Sequence, residues 1–241
     1  MANLSNSRLR VLAKAVARYE TIRSDFDLQG KYLMDHLAND ARLKPLIHSQ
    51  KYRTKDPEHL CKKLERKELQ RLKTKPDKRP KLVNQRNILD EVDDLVGVRI
   101  LHLHTKQMSE IHPLILKILK QNNYVIREEP LVYIWDLESK KFFKDLGFLP
   151  VERDEMYTSA HYVVSSAARP EMKMELQVRT LMEEVWGEVS HLINYPVETT
   201  SMLSCREQIR VLARITSGCT RLVDSIFSSY NESNESLRSK E

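Results

Sequence analysis

Glycine is scarce in this chain, five among 241 residues, and none falls in a GxGxxG or P-loop arrangement. A phosphate cradle of glycine-rich backbone is thereby excluded, so any phosphate site has to be built from side chains and helix ends. Cysteine is scarcer still: Cys61, Cys205 and Cys219 are scattered and lack a metal-ligand spacing. That pattern indicates neither a disulfide framework nor a zinc site, and it makes a reducing cytoplasm the default compartment. No apolar run approaches the roughly eighteen residues a membrane span needs. Met1 to Asn6 lead into a charged helical pattern, not the apolar core of a signal peptide. Internal repeats are lacking as well.

What is present is enough apolar material for a core, 41% of the residues in a chain of 28.3 kDa, which suits one large domain or one domain with helical additions. The formal net charge is +6 and it is unevenly spread. Residues 51–86 hold fourteen Lys and Arg against five Asp and Glu, a local +9 that exceeds the surplus of the whole chain. A polyanion is expected there, either nucleotide phosphates or nucleic acid.

Leu9, Leu12, Val16, Tyr19 and Ile22 recur at three- and four-residue steps and predict an amphipathic scaffold helix, with a second helix from about Gly30 to Leu43, ahead of Pro45. Asp56-Pro57 predicts a new helix, Asp56 as its N-cap, running through Leu60, Leu64 and Leu72. Arg53 and Lys55 precede its positive end, and His59 and Lys63 share one face, which together make an anion site. From Arg66 onward the cations of this helix are expected only to solvate a face. Lys73 to Arg86, with Pro76 and Pro80, has the composition of a mobile basic loop.

Asp93-Asp94 opens an apolar strand through Leu101. A carboxylate at a strand edge is a natural magnesium ligand, because a hard cation prefers oxygen donors, although paired acids also serve as plain turn residues. A helix over 107–121 and one or two strands over Tyr124–Trp135 follow. After the strands described next come a helix from Leu181 to Ile193, ended by Pro196, and a long helix from Ser204 to Tyr230, with a frayed Ser/Asn/Glu-rich tail from about Ser228. This order predicts an α+β fold, a mixed β-sheet flanked by helices.

The chemistry gathers in two alternating stretches. In Met172–Arg179 the even positions are all apolar while the odd ones are Lys173, Glu175, Gln177 and Arg179. In Tyr157–Val164, Tyr157, Ser159 and His161 fall on one pleat face. The short connection Ser165–Glu171 suits a hairpin with both polar rows on the same side. An ordinary half-buried strand alternates in the same way, with its polar face in water. An aromatic, an imidazole, a carboxylate, an amide and a guanidinium on one surface fit nucleotide handling better than solvation.

Four blocks, in order, resemble the synthetase domain of the RelA/SpoT family: Arg53-Thr54-Lys55 with Lys63; Asp94 to Arg99; Tyr157 to His161; and Glu175 to Thr180 followed by Trp186-Gly187-Glu188 and His191. The resemblance runs from about Lys51 to Tyr195. It implies a nucleotidyltransferase-like core over 51–196, between a helical segment at 1–50 and a C-terminal helix with its tail at 197–241. It also implies transfer of the β,γ-pyrophosphate of ATP to the 3′-hydroxyl of GDP or GTP, with Glu175 as general base and Mg2+ held by Asp94, Glu175 sharing the ion. By the same resemblance Arg53, Lys55 and Lys63 hold ATP. Tyr157 stacks on guanine, His161, Gln177 and Arg179 line the acceptor floor, and Lys144 and Arg153 are basic acceptor contacts.

The chain departs from the family pattern at Glu155-Met156, where Asn-Gly is common, and at His59, which replaces a serine. It has no His-Asp dipeptide, so the family's hydrolase half is not expected, and the sequence suits a small stand-alone synthetase or an excised catalytic piece. Two alternatives stay open. A toxic relative would modify the 3′ end of tRNA or an adenine nucleotide; an inactive relative would only bind RNA or a partner. The long terminal helices are compatible with a homo-oligomer and with an antitoxin contact, and no membrane partner is expected.

Overall fold

The computed structural model describes residues 4–153, 157–194 and 202–238. Two helices come first, α1 (Asn6–Glu20), capped by the Ser5 hydroxyl, and α2 (Arg23–Ala38). Strand β1 (Ser49–Thr54) leads into α3 (Pro57–Lys73), where the Asp56 side chain accepts from the His59 amide and Pro57 opens the first turn. A basic, largely irregular stretch and the short α4 (Ile88–Glu91) precede β2 (Val96–His102) and α5 (Met108–Gln121). Then follow β3 (Tyr124–Ile126), β4 (Leu131–Ile134), α6 (Leu137–Asp145), β5 (Leu149–Glu152), β6 (Ser159–Ser166), β7 (Met174–Thr180), α7 (Leu181–Asn194) and α8 (Met202–Arg238).

The seven strands form one mixed sheet in the order β1-β2-β7-β6-β4-β5, with β3 also pairing β6. β2 and β7 run parallel at its middle, while β1 on β2 and β6 on β7 are antiparallel. The expected hairpin is therefore present, with His161 opposite Gln177 and Val163 opposite Glu175. Alternation then sorts the two faces. Val96, Val98 and Ile100 of β2 and Met174, Leu176 and Val178 of β7 are buried with Leu33 of α2 and Ile111 and Ile115 of α5 in one core. The odd positions of β2 and β7 look to the other side, where α7 crosses both strands and packs along α8.

The helix break expected near Gly30 falls instead at Thr21-Ile22, and Gly30 sits inside α2. Its role is close approach. A Cβ there would lie 2.5 Å from Cγ2 of Val96 and 3.0 Å from Cδ2 of Tyr52, so the missing side chain lets α2 lie against β1 and β2. The N-terminal helices thus share the core of the sheet, with Leu12, Tyr19, Phe26 and Leu37 fully buried in it. Two strands, β1 and β5, were not among those expected. The tail is also more regular than its composition predicts, since α8 continues to Arg238. Glu155-Met156 and Pro196, singled out above, lie outside the described residues. Among the described residues no helix is long and apolar enough to cross a membrane.

At the start of α7, Glu183 is buried and accepts from the Thr158 amide at 3.3 Å. Burial pushes its carboxyl up to about 7; the Thr158 bond and the Arg179 charge pull the other way without offsetting it, and Asp136 adds to the rise. The folded state therefore holds this proton more tightly than the unfolded chain. The stability it contributes is complete below the unfolded value, near 4.5, and is lost as pH rises through about 7.

Two stability measurements follow. Gly30→Ala should lose about 1–3 kcal/mol in chemical denaturation, because the overlap with Val96 outweighs a helix-propensity gain of about 1 kcal/mol. Glu183→Gln should be more stable than the parent by roughly 2–3 kcal/mol at pH 8, with the difference shrinking towards pH 5.

Candidate functional site

The polar side of β1, β2 and β7 is the floor of a cleft of about 460 Å³, walled by the start of α3 and by α7. Strand register sets its tiling. One row across the sheet runs Lys51, Arg99, Gln177, His161, and the next runs Arg53, Gly97, Glu175, Val163. Between Arg53 and Glu175 stands a residue without a side chain, and a Cβ at Gly97 would meet nothing nearer than 3.9 Å. Gly97 therefore keeps the middle of the floor open without serving a tight packing contact. The volume suits a small-molecule site.

Asp94, just ahead of β2, is clamped by two ammonium groups. Lys55, at the end of β1, donates to one carboxylate oxygen, and Lys63, two turns into α3, donates to the other at 2.6 Å. Burial by itself would raise the Asp94 carboxyl, but the charges of Lys55 and Lys63 and their hydrogen bonds overrule it and hold it at about 2. The Lys55 ammonium is drawn below its usual range, by burial first and by Lys63 as a like charge, despite its bond to Asp94. Across the floor, Glu175 is held at both oxygens: His161 Nδ1 lies 2.8 Å from Oε1, and Gln177 Nε2 donates to Oε2 at 2.8 Å. Burial acts to raise this carboxyl and Asp94 adds to that, yet the His161 and Gln177 contacts prevail and keep it below the ordinary glutamate value. Both acids are thus ionised at neutral pH.

A second ionic cluster closes the far end. Arg99 Nη1 lies 2.7 Å from Glu184 and 2.6 Å from Glu188, Lys51 lies 2.7 Å from Glu184, and Arg179 Nε reaches Glu184 at 2.7 Å. Burial opposes the charge on Glu184, but Lys51, Arg179 and Arg99 hold its carboxyl at about 2.

Of the residues singled out in the sequence, Arg53, Lys55, Lys63, Asp94, Glu175 and Gln177 line this one cleft. His161 is just behind Glu175, its side chain 8% exposed against 22% for the acid. Tyr157 does not line the cleft. Its ring stacks on Trp186 of α7 at 5.3 Å, and its hydroxyl accepts from Arg179 at 2.9 Å. The shared face with His161 holds, since both rings meet Tyr133, at 6.4 and 4.7 Å between centroids, but Trp186 of α7 covers the Tyr157 ring on that face. Arg179 is buried by the same stack and by Glu184. Arg153 lies with its guanidinium 4.4 Å above the Tyr133 ring, and Lys144 is exposed in the last turn of α6; neither lines the cleft.

The sequence also points away from residues that the cleft does contain. Arg66, expected only to solvate its helix, is part of the wall, as are Lys51 and Arg99. Arg99 had a signal, since it ends the Asp94–Arg99 block on the same pleat face as Gly97. Lys51 had none beyond the charge of its segment, because β1 was not foreseen. Glu184 pairs with three cations that come together only in the folded sheet.

Among the described residues no group of three or more His, Cys, Asp or Glu is arranged to hold a metal ion. Asp94 and Glu175 nevertheless fit magnesium by donor chemistry, since that ion uses one or two carboxylates and takes its remaining oxygens from phosphates and water.

A family model described as a region found in RelA / SpoT proteins matches residues 52–200. No curated protein matches the chain. Among solved structures, a GTP pyrophosphokinase family protein from Streptococcus pneumoniae is similar at 15% identity and a TM-score of 0.53, covering 95% of this chain and 97% of that one. Small alarmone synthetase 1 from Bacillus subtilis bound to its product pppGpp is similar at 16% identity and a TM-score of 0.52, covering 88% and 93%. The same synthetase bound to AMPCPP is similar at 14% identity and a TM-score of 0.53, covering 89% and 96%.

Proposed function

This chain belongs to the RelA/SpoT family, and from that premise we propose that its cleft transfers the β,γ-pyrophosphate of ATP to the 3′-hydroxyl of GDP or GTP, making (p)ppGpp. The observation that carries the proposal is the pairing of an ionised, doubly held carboxylate, Glu175, with an acid clamped between two cations, Asp94, on opposite sides of an open floor. One protein of the same fold supports the two halves of the reaction: it holds an ATP analogue in one structure and the product pppGpp in another.

A ribose hydroxyl is a poor nucleophile near neutrality, so its proton has to leave as its oxygen bonds the β-phosphorus of ATP, while the bond from that phosphorus to the α,β-bridging oxygen breaks and AMP departs. Glu175 accepts the proton, ionised beforehand and in fixed orientation. Lys55, Lys63 and Arg53 receive the donor phosphates; the two lysines exchange part of their hold on Asp94 for phosphate oxygens, which frees carboxylate lone pairs. Mg2+ would be held there by Asp94 with Glu175 at its side, and when bound it supplies charge neutralisation for the transferred pyrophosphoryl group. The fixed cations meet the rest of that charge. Gly97 leaves room for the reacting groups between Arg53 and Glu175. Tyr157 presents a face to guanine only if the base shares or displaces its stack on Trp186, with Arg179 alongside.

A second acceptor is favoured by one observation, the local +9 over residues 51–86, which borders the cleft and suits a tRNA 3′ end. Incubation with γ-labelled ATP and GDP, GTP, ADP or deacylated tRNA separates the cases. Label is expected on the guanine nucleotides; label confined to tRNA or to the adenine nucleotide rejects them as acceptors, and no label on any acceptor rejects transfer altogether. Glu175→Gln should lower kcat by at least about 100-fold while ATP still binds. Gly97→Val should fold normally and bind ATP at least about tenfold more weakly, measured by calorimetry, because its side chain enters the floor and not the core.

A further inference from the structure

We infer that His161 is a positioning residue for Glu175, fixing through its Nδ1–H the direction in which the carboxylate faces, and that it makes no contact with the acceptor. The inference rests on the proposed role of Glu175 and adds to it a residue whose own place in the resemblance is different, that of an acceptor contact.

Three observations carry it. First, His161 Nδ1 lies 2.8 Å from Glu175 Oε1 while Gln177 Nε2 donates to Oε2 at 2.8 Å. A carboxylate held at one oxygen can still rotate about its last torsion, whereas one held at both oxygens from two neighbouring strands cannot. Second, the imidazole lies behind the carboxylate, its side chain 8% exposed against 22% for Glu175. It is buried, meets the Tyr133 ring edge-on with centroids 4.7 Å apart, and is absent from the cleft lining. Arg153 lies 4.4 Å over the Tyr133 ring, so Arg153, Tyr133 and His161 form a chain of contacts that ends on the carboxylate.

Third, His161 Nε2 is buried without a hydrogen-bond partner. A ring nitrogen facing an ionised carboxylate oxygen has to carry the hydrogen, which assigns Nδ1–H as the donor to Glu175. A histidine that recognised a nucleotide would present that second nitrogen to the cleft. Here that nitrogen is enclosed, and the hydrogen bond the ring makes goes to Glu175.

A general base acts through a lone pair aimed at the proton it removes, and small misplacements of such a group cost rate, not binding. His161→Leu should therefore lower kcat by about 30- to 100-fold and leave the acceptor KM within about twofold of the parent. His161→Asn, whose amide N–H can stand in for Nδ1–H, should recover at least about tenfold of that loss. Tyr133→Leu removes the wall behind the ring and keeps both hydrogen-bond partners, so it should show a smaller kcat loss, about five- to tenfold, again at unchanged KM. A raised acceptor KM with kcat retained in His161→Leu, or equal losses in the Leu and Asn variants, overturns the inference.

A measurement without turnover completes the test. In protein labelled with 15N-histidine, the His161 Nδ1 proton should exchange slowly with solvent and be lost from the spectrum in Glu175→Ala. Its absence in the parent overturns the pairing. If the proton is present and depends on Glu175 while no acceptor takes label from ATP, the proposed reaction fails and the pairing stands.

Discussion

Charge burial without loss of charge is the constraint on which the cleft depends. Two carboxylates are kept ionised in a partly desolvated trough although desolvation alone favours their neutral forms, and each stays charged because specific donors hold it: Lys55 and Lys63 for Asp94, His161 and Gln177 for Glu175. Removing one member of such a set leaves an uncompensated charge, so the groups act as a unit. The two acids differ in the kind of partner they have. Asp94 faces ammonium groups on long side chains, for which a phosphate can compete, while Glu175 faces an imidazole and an amide carried by the sheet. One acid is suited to exchanging partners and the other to keeping its aim.

The sheet makes this division possible. Because β7 pairs with β2 on one edge and β6 on the other, Glu175 draws neighbours from three strands, and the even positions of those strands anchor the arrangement in a continuous apolar core. The Arg99–Glu184–Arg179 cluster, with Lys51, joins the floor to α7. α7 in turn is held to α8, where the Trp186 indole donates to the Ile209 carbonyl at 3.2 Å. Tyr157 is caught in that packing, so the lid over the cleft and the stack on the tyrosine belong to one mechanical unit.

Much of this was legible in the sequence wherever a period of two or a cap signal operated. The alternation of Met172–Arg179 placed Glu175 and Gln177 on the open face, Asp56-Pro57 located the start of α3 and with it Lys63, and the order of elements gave a mixed sheet. Legibility ended where a neighbour distant in sequence decides the outcome. Ser49–Thr54 has little apolar content and becomes a strand by pairing with β2; Leu149–Glu152 contains Pro150 and sits at the sheet edge. Gly30 resembles a helix boundary in sequence, but its function is to admit Val96 and Tyr52. Tyr157 shares a face with His161 as the alternation predicts, yet Trp186, twenty-nine positions later, covers its ring.

The parallel pairing of Gly97 with Glu175 has a consequence for synthesis of the protein. The two central strands are far apart in the chain, and nothing local can substitute for their meeting. A polypeptide emerging from the ribosome carries Arg53, Lys55, Lys63 and Asp94 long before the other half of the trough exists, a cationic edge whose other acids, Glu175 and Glu184, have yet to be made. Until residues up to about 180 have left the exit tunnel, that nascent edge is an unpaired strand flanked by positive charge, exposed to whatever anionic polymer is close at hand. The last strand to arrive, β7, therefore both finishes the sheet and ends that exposure.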